Sequence, residues 1–139
     1  MIFGMGRMGK ATYDAIEPYY KDHIIGIDLD PKKATQYQTA NKYVVRGDAT
    51  NPDFWVRAPN LLDNLEWVLL TLPTHKANIN TVKLLKKMHY HGRIAAITKH
   101  PDEEAELKAI GIEKTFNIYI EAGLGFANDI KISNADKVK

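Results

Sequence analysis

The sequence predicts a doubly wound α/β fold: six parallel strands in a single sheet, with helices on both faces. Three observations lead there. Short apolar runs of strand length alternate with amphipathic stretches along the whole chain, the order that builds right-handed strand–helix–strand crossovers. Glu66-Trp-Val-Leu-Leu-Thr-Leu72 is almost unbroken apolar sequence, as a strand covered on both faces requires. The chain also opens on Gly4-Met5-Gly6-Arg7-Met8-Gly9, a G-x-G-x-x-G turn set between a strand and a helix.

The first strand is short, with only Met1, Ile2 and Phe3 before the turn, where strands usually hold about 5–6 residues. In a sheet of order 3-2-1-4-5-6 this is a central strand, so the natural protein is expected to extend upstream of Met1. Each glycine of the turn has its own task. Gly4 permits the tight turn, Gly6 lets a phosphate approach the backbone, and Gly9 lets the helix pack closely on the sheet. The free N–H groups at the start of that helix, about Arg7 to Tyr19, attract an anion. Arg7 lies inside the turn and either pairs with pyrophosphate or serves as a surface residue.

Strand two is read as His23 to Asp28. Asp28 lies 19 positions past Gly9 at the end of an apolar run, the place of an acid that accepts hydrogen bonds from both ribose hydroxyls of an adenosine. It would repel a 2′-phosphate, which favours NAD or a plain adenine nucleotide over NADP. The competing duty, capping the next helix, fits Asp30 better, because Pro31 follows it. That helix is expected to reach about Ala40.

Tyr43 to Arg46 reads as strand three, running into Gly47-Asp48-Ala49-Thr50. Asp48 either accepts from the adenine amino group or organises the turn into Asn51-Pro52, where a short helix through Phe54, Trp55 and Val56 begins. Trp55 and Trp67 are expected in the core or at its rim, and Pro59 to Asn64 in a loop. Pro73 stops strand four. Thr71, Leu72 and Pro73, with Thr74, then line the wall of the crevice opposite Asp28. His75 follows as either a general base or a partly solvated loop histidine.

A helix from about Lys76 to Met88 turns Ile79, Val82, Leu84 and Leu85 inward. Strand five is Arg93 to Thr98. Lys99 and His100 follow it and either face phosphate or lead into the helix opened by Pro101, whose acids Glu103 and Glu104 suit its positive end. Gly111 closes that helix. Thr115 to Ile118 is the sixth strand, then a helix runs from about Glu121 to Ile130, and Lys131 to Lys139 is expected to fray.

At 139 residues the chain forms one domain, residues 1–139, with a sound core. A formal charge of +2 is too small to argue for nucleic acid or an anionic membrane surface as a partner. With no cysteine, thiol catalysis, disulfides and cysteine-based zinc sites are excluded. His89 and His91, two apart, do not converge on one helical face, so no metal site is expected. No catalytic residues emerge: there is neither a Ser-His-Asp set nor a carboxylate pair.

With these motifs in place, together with Asn78 and Gly111, the chain resembles the Trk/Kef-type regulatory domains, also called KTN, RCK N-terminal or TrkA-N domains. The likeness is strongest to the cytosolic domain of Kef-type glutathione-regulated potassium-efflux antiporters. Gly47-Asp-Ala-Thr-Asn-Pro-Asp-Phe-Trp55 and Phe116-Asn-Ile-Tyr-Ile-Glu-Ala-Gly123 carry it, and it spans nearly the whole chain.

The resemblance implies a Rossmann domain that senses a ligand and is not an enzyme. It implies NAD(H), AMP or another adenine nucleotide as cofactor, held by Gly4, Met5, Gly6, Arg7, Met8 and Gly9 at the phosphates. Asp28 and Leu29 would sit at the ribose, with Asp48 and Ala49 bordering adenine and Thr71, Leu72 and Pro73 opposite. It further implies a homodimer formed partly through the last helix. The partner would be a potassium channel or antiporter membrane domain, encoded upstream in the same chain, with this domain at the cytoplasmic face of the inner membrane. Lys99-His100 departs from the arginines that Kef-like relatives carry there for glutathione, and the second lobe of channel-type relatives is absent. The alternative is a fragment of an NAD-dependent oxidoreductase lacking its substrate domain.

Overall fold

The computed structural model describes residues 1–57, 60–112 and 114–138. Six parallel strands form one sheet in the order β3-β2-β1-β4-β5-β6. They are β1 (Ile2–Phe3), β2 (Gly26–Asp28), β3 (Val44–Arg46), β4 (Trp67–Leu70), β5 (Arg93–Thr98) and β6 (Lys114–Asn117). The direction of winding reverses between β1 and β4, which opens a crevice at their carboxyl ends. The fold is the expected Rossmann α/β sheet.

Among the described residues seven α-helices connect and follow the strands: α1 (Arg7–Tyr20), α2 (Pro31–Thr39), α3 (Pro52–Val56), α4 (Leu61–Asn64), α5 (His75–Lys87), α6 (Pro101–Ala109) and α7 (Ile118–Val138). Local chemistry fixes where several begin. Side-chain oxygens of Asp30, Asn51 and Thr74 accept from the backbone N–H groups of Lys32, Asp53 and Ala77 at 2.9, 3.0 and 3.2 Å, satisfying donors that a helix start leaves open. At α6 the Glu103 carboxylate reaches back to the N–H groups of Lys99 and His100, at 2.7 and 3.2 Å. The Lys99 N–H does most to hold this carboxyl below the usual glutamate range. Its contribution to stability is therefore present above the ordinary glutamate pKa and fades as pH falls through the lowered one.

Side chains alternate across a strand, so even the two residues of β1 serve both faces. Phe3 joins a core with Trp55, Val68, Leu70, Val82 and Leu107. Ile2 joins a second core with Met5, Tyr13, Ala34 and Val44. The rings of Phe3, Phe54 and Trp55 pack with centroids 5.0–5.7 Å apart, and the fully buried Trp55 indole donates to the Ala49 carbonyl at 2.9 Å.

Several boundaries differ from expectation. Strand two starts at Gly26 and not at His23, because Lys21–His23 form a 3-10 turn. Strand three starts at Val44, one residue late. Residues 61–64, expected as loop, make one helical turn whose Leu61 and Leu62 pack against the first core; Pro59 lies outside the described residues. Ile118 begins α7 and does not end strand six. The reason is Asn117, whose carboxamide oxygen accepts from the N–H groups of Tyr119 and Ile120 at 3.0 and 3.2 Å. α7 continues to Val138, through most of the segment expected to fray; Lys139 lies outside the described residues. Asn117→Ala should cost about 1 kcal/mol, read as a lower urea midpoint with an unchanged m-value. An unshifted midpoint would remove its capping role.

Candidate functional site

At the carboxyl edge, where the winding reverses, lies a cavity of about 860 Å³. Its floor is the loop between β1 and α1, and the reason that loop has its shape can be read atom by atom. Gly4 has φ +93°, and a Cβ there would stand 2.4 Å from the Thr71 carbonyl oxygen. The Thr71 hydroxyl donates to the Gly4 carbonyl at 2.6 Å, with the Phe3 carbonyl at 2.9 Å. Gly9 lies buried against the same carbonyl, where a Cβ would be only 1.8 Å from Gly4 O. Glycine at 4 and 9 is therefore demanded by the fold. Gly6 is different: a Cβ there would meet nothing within 4 Å.

The first turn of α1 carries no acid, and no side chain caps its start at Gly6. The open N–H groups and the positive dipole end thus face the cavity unspent. An anion fits that position, and the space beside Gly6 lets it approach the backbone.

Asp28 closes the other side of the loop. The residue is 9% exposed, and its carboxylate accepts from the Met5 N–H and the Asp30 N–H, both at 2.8 Å. One N–H on each oxygen leaves further lone pairs on both. Asp28 therefore braces the glycine loop as well as lining the cavity. Lys33, one turn into α2, places its ammonium 4.0 Å from that carboxylate and lines the cavity too. Asp48 also lines it, and its Oδ1 accepts from both the N–H and the hydroxyl of Thr50 at 2.9 and 2.6 Å. The turn-organising reading of Asp48 and its place beside the cavity hold together.

Of the thirteen expected binding residues, Gly4, Gly6, Arg7, Met8, Asp28, Leu29, Asp48, Ala49, Thr71, Leu72 and Pro73 line the cavity. Met5 and Gly9 do not. The Met5 side chain turns into the second core, its N–H goes to Asp28, and its carbonyl accepts from the Tyr37 hydroxyl at 2.8 Å. Gly9 is consumed by the contact with Gly4. Both shape the loop from behind.

Of the pair after β5, Lys99 lines the cavity and His100 does not. His75, weighed as a base or a loop histidine, is the first residue of α5 and also stands outside the lining. Its Nε2 lies 3.2 Å from Glu106 of α6. Sequence reasoning missed Lys33 and Ile118, which also line the cavity. Lys33 follows the Asp30-Pro31 cap closely enough that the first turn of α2 signalled it; Ile118 is brought there only by the sheet order.

A family model described as the TrkA-N domain matches residues 1–118. No curated protein matches the sequence at a significant level. Among solved structures, the chain is similar to the NAD(P)-binding domain of an exopolyphosphatase-related protein from Archaeoglobus fulgidus, with 18% identity and a TM-score of 0.82, covering 94% of this chain and 96% of that one. It is also similar to the TrkA-N domain of the Escherichia coli inner membrane protein ybaL, with 19% identity, TM-score 0.75, and 91% and 92% covered. A third is the Shewanella denitrificans Kef CTD in AMP-bound form, with 17% identity, TM-score 0.74, and 99% and 83% covered. At these identities the likeness shows a shared fold.

Proposed function

The chain belongs to the TrkA-N domain family, and from that premise we propose that it is a nucleotide-sensing regulatory domain of a potassium transporter or Kef-type potassium/proton antiporter. Its ligand is an adenine nucleotide, NAD(H) or AMP. One observation carries this: the uncapped start of α1, open at Gly6, and the Asp28 carboxylate line the same cavity. A phosphate suits the first and a ribose diol the second. The solved relatives with an NAD(P)-binding domain and with bound AMP support the choice of ligand.

Gly4, Gly6, Arg7 and Met8 hold phosphate, Asp28 and Leu29 the ribose, and Asp48 and Ala49 border the adenine. Thr71, Leu72 and Pro73 form the facing wall. Lys99 supplies a further positive charge toward phosphate. Ligand binding would order the loops after β1, β2 and β3, and a partner that prefers the ordered loops would shift its own population in response.

The chain is read as a sensor and not an enzyme: the charged groups at the cavity are Arg7, Asp28, Lys33, Asp48 and Lys99, a set suited to binding. Homodimerisation through α7 is proposed from its exposed Tyr119, Ile120, Leu124, Phe126 and Ile130, more apolar surface than one helix ordinarily leaves to water. Among the described residues no helix is long and apolar enough to cross a membrane, so the transporting part would be a separate membrane domain. This domain would work at the cytoplasmic face of the inner membrane.

Thermal-shift titration with AMP, ADP, ATP, NAD, NADH and NADP tests the reading. At a hundredfold excess over Kd a true ligand adds about 2.7 kcal/mol of stability, a rise of several degrees. Adenine nucleotides should do this, and NADP less than NAD, because Asp28 meets the 2′-phosphate. No shift with any of the six, at saturating concentration, would refute nucleotide sensing.

A further inference from the structure

Between Trp67 and Pro101 the sequence contains no acidic residue, six of its lysines and arginines, and four of its five histidines. Since the whole chain carries +2, this β4–α5–β5 unit is +6 and the remainder −4. Four of the six cations lie on α5. Lys76, Lys83 and Lys87 are exposed on α5 at spacings of seven and four, which stack them along one face of a helix roughly 20 Å long. Beyond its end the exposed Arg93 and Lys114 continue the same charge.

Nothing described neutralises the stripe. None of the ion pairs among the described residues uses Lys76, Lys83 or Lys87, and α5 contains no acid. Lys83 and Lys87, four apart, repel each other, which offsets the gain Lys87 makes in the last turn of the helix.

We infer that the outer face of α5 is a docking surface for an anionic lipid bilayer. Charge complementarity selects the occupant, and residue type selects among anions. The four cations on α5 are all lysines, compact and flexible point charges, whereas forked arginines dominate where one carboxylate or phosphate is gripped in two-point fashion. Spread along a convex helix face, they suit many shallow contacts with headgroups rather than a single deep one. The nucleotide cavity plays no part in this inference.

The test is co-sedimentation of the nucleotide-free chain with vesicles of phosphatidylcholine alone or with about 30% phosphatidylglycerol. Binding is expected only to the anionic vesicles at low salt, and is lost near about 0.5 M salt, where screening shortens to a few ångströms. The triple variant K76Q/K83Q/K87Q should lower the partition coefficient roughly 100-fold, about fivefold per lysine. Its Tm should stay within a few degrees of the parent's, because the relieved repulsion and the lost helix-end charge nearly offset each other. K21Q/K32Q/K131Q removes equal charge elsewhere and should retain most of the binding. The inference is overturned by absence of binding to anionic vesicles or by equal losses in the two variants. Capture by poly-glutamate without vesicle binding also overturns it, and points to an acidic protein instead.

Discussion

Gly9→Ala is expected to lower stability by at least about 3 kcal/mol, a fall in Tm of roughly 10 °C. Gly6→Ala should leave Tm within a few degrees of the parent and abolish the shift produced by nucleotide. The contrast comes from what each missing Cβ would meet. At Gly9 it would collide with the Gly4 carbonyl at 1.8 Å, and that carbonyl is held by the Thr71 hydroxyl. Relief would require moving the start of α1 away from β4. At Gly6 the backbone, φ −72°, is one that alanine adopts, and the space around it is open. A methyl group there obstructs only an incoming ligand. If Gly6→Ala bound nucleotide as the parent does, the phosphate position over α1 would be lost; if Gly9→Ala melted with the parent, the close approach of α1 to the sheet would be lost.

Asp28→Ala should carry a double penalty. Removing the carboxylate leaves the Met5 and Asp30 N–H groups without their acceptor, the first of them buried, at about 1–3 kcal/mol for an unsatisfied buried donor. It also removes the hydrogen bonds offered to a ribose. Nucleotide affinity should fall about 100-fold, two charge-assisted bonds of about 1.5 kcal/mol each. Asp28→Asn separates the two roles. One acceptor oxygen and the side-chain shape persist, so stability should be partly regained while affinity stays low. Calorimetric titration with NAD beside a urea melt measures both quantities. Affinity that survives Asp28→Ala in a folded protein would dismiss the ribose contact.

Much of this site could be read from residue spacing. The glycine turn, the acid 19 positions beyond it and the Gly47-Asp48-Ala49-Thr50 turn are local signals tied to strand ends, and a parallel sheet gathers strand ends at one edge. Met5 illustrates where that reasoning stopped. Membership in the glycine turn suggested a ligand contact, but side-chain direction within a turn depends on which pocket of the core stands open. Here the space between α1 and α2 took the thioether. His75 is a second case: pattern left it as a base or a loop histidine, and packing set it at the start of α5 with its Nε2 3.2 Å from Glu106 of α6.

What the sequence determined by itself was the alternation of strands and helices, the sheet they form, and the helix starts at Asp30-Pro31 and Asn51-Pro52, because periodicity and capping act over a few neighbouring residues. Tertiary structure decided the part of the cavity that spacing did not show. Lys33 and Ile118 lie far apart in the chain and meet at one edge only through the order of six strands. It likewise decided that Asp28 spends hydrogen bonds on the loop it faces, since a carboxylate's partners depend on which donors the packed backbone brings within reach.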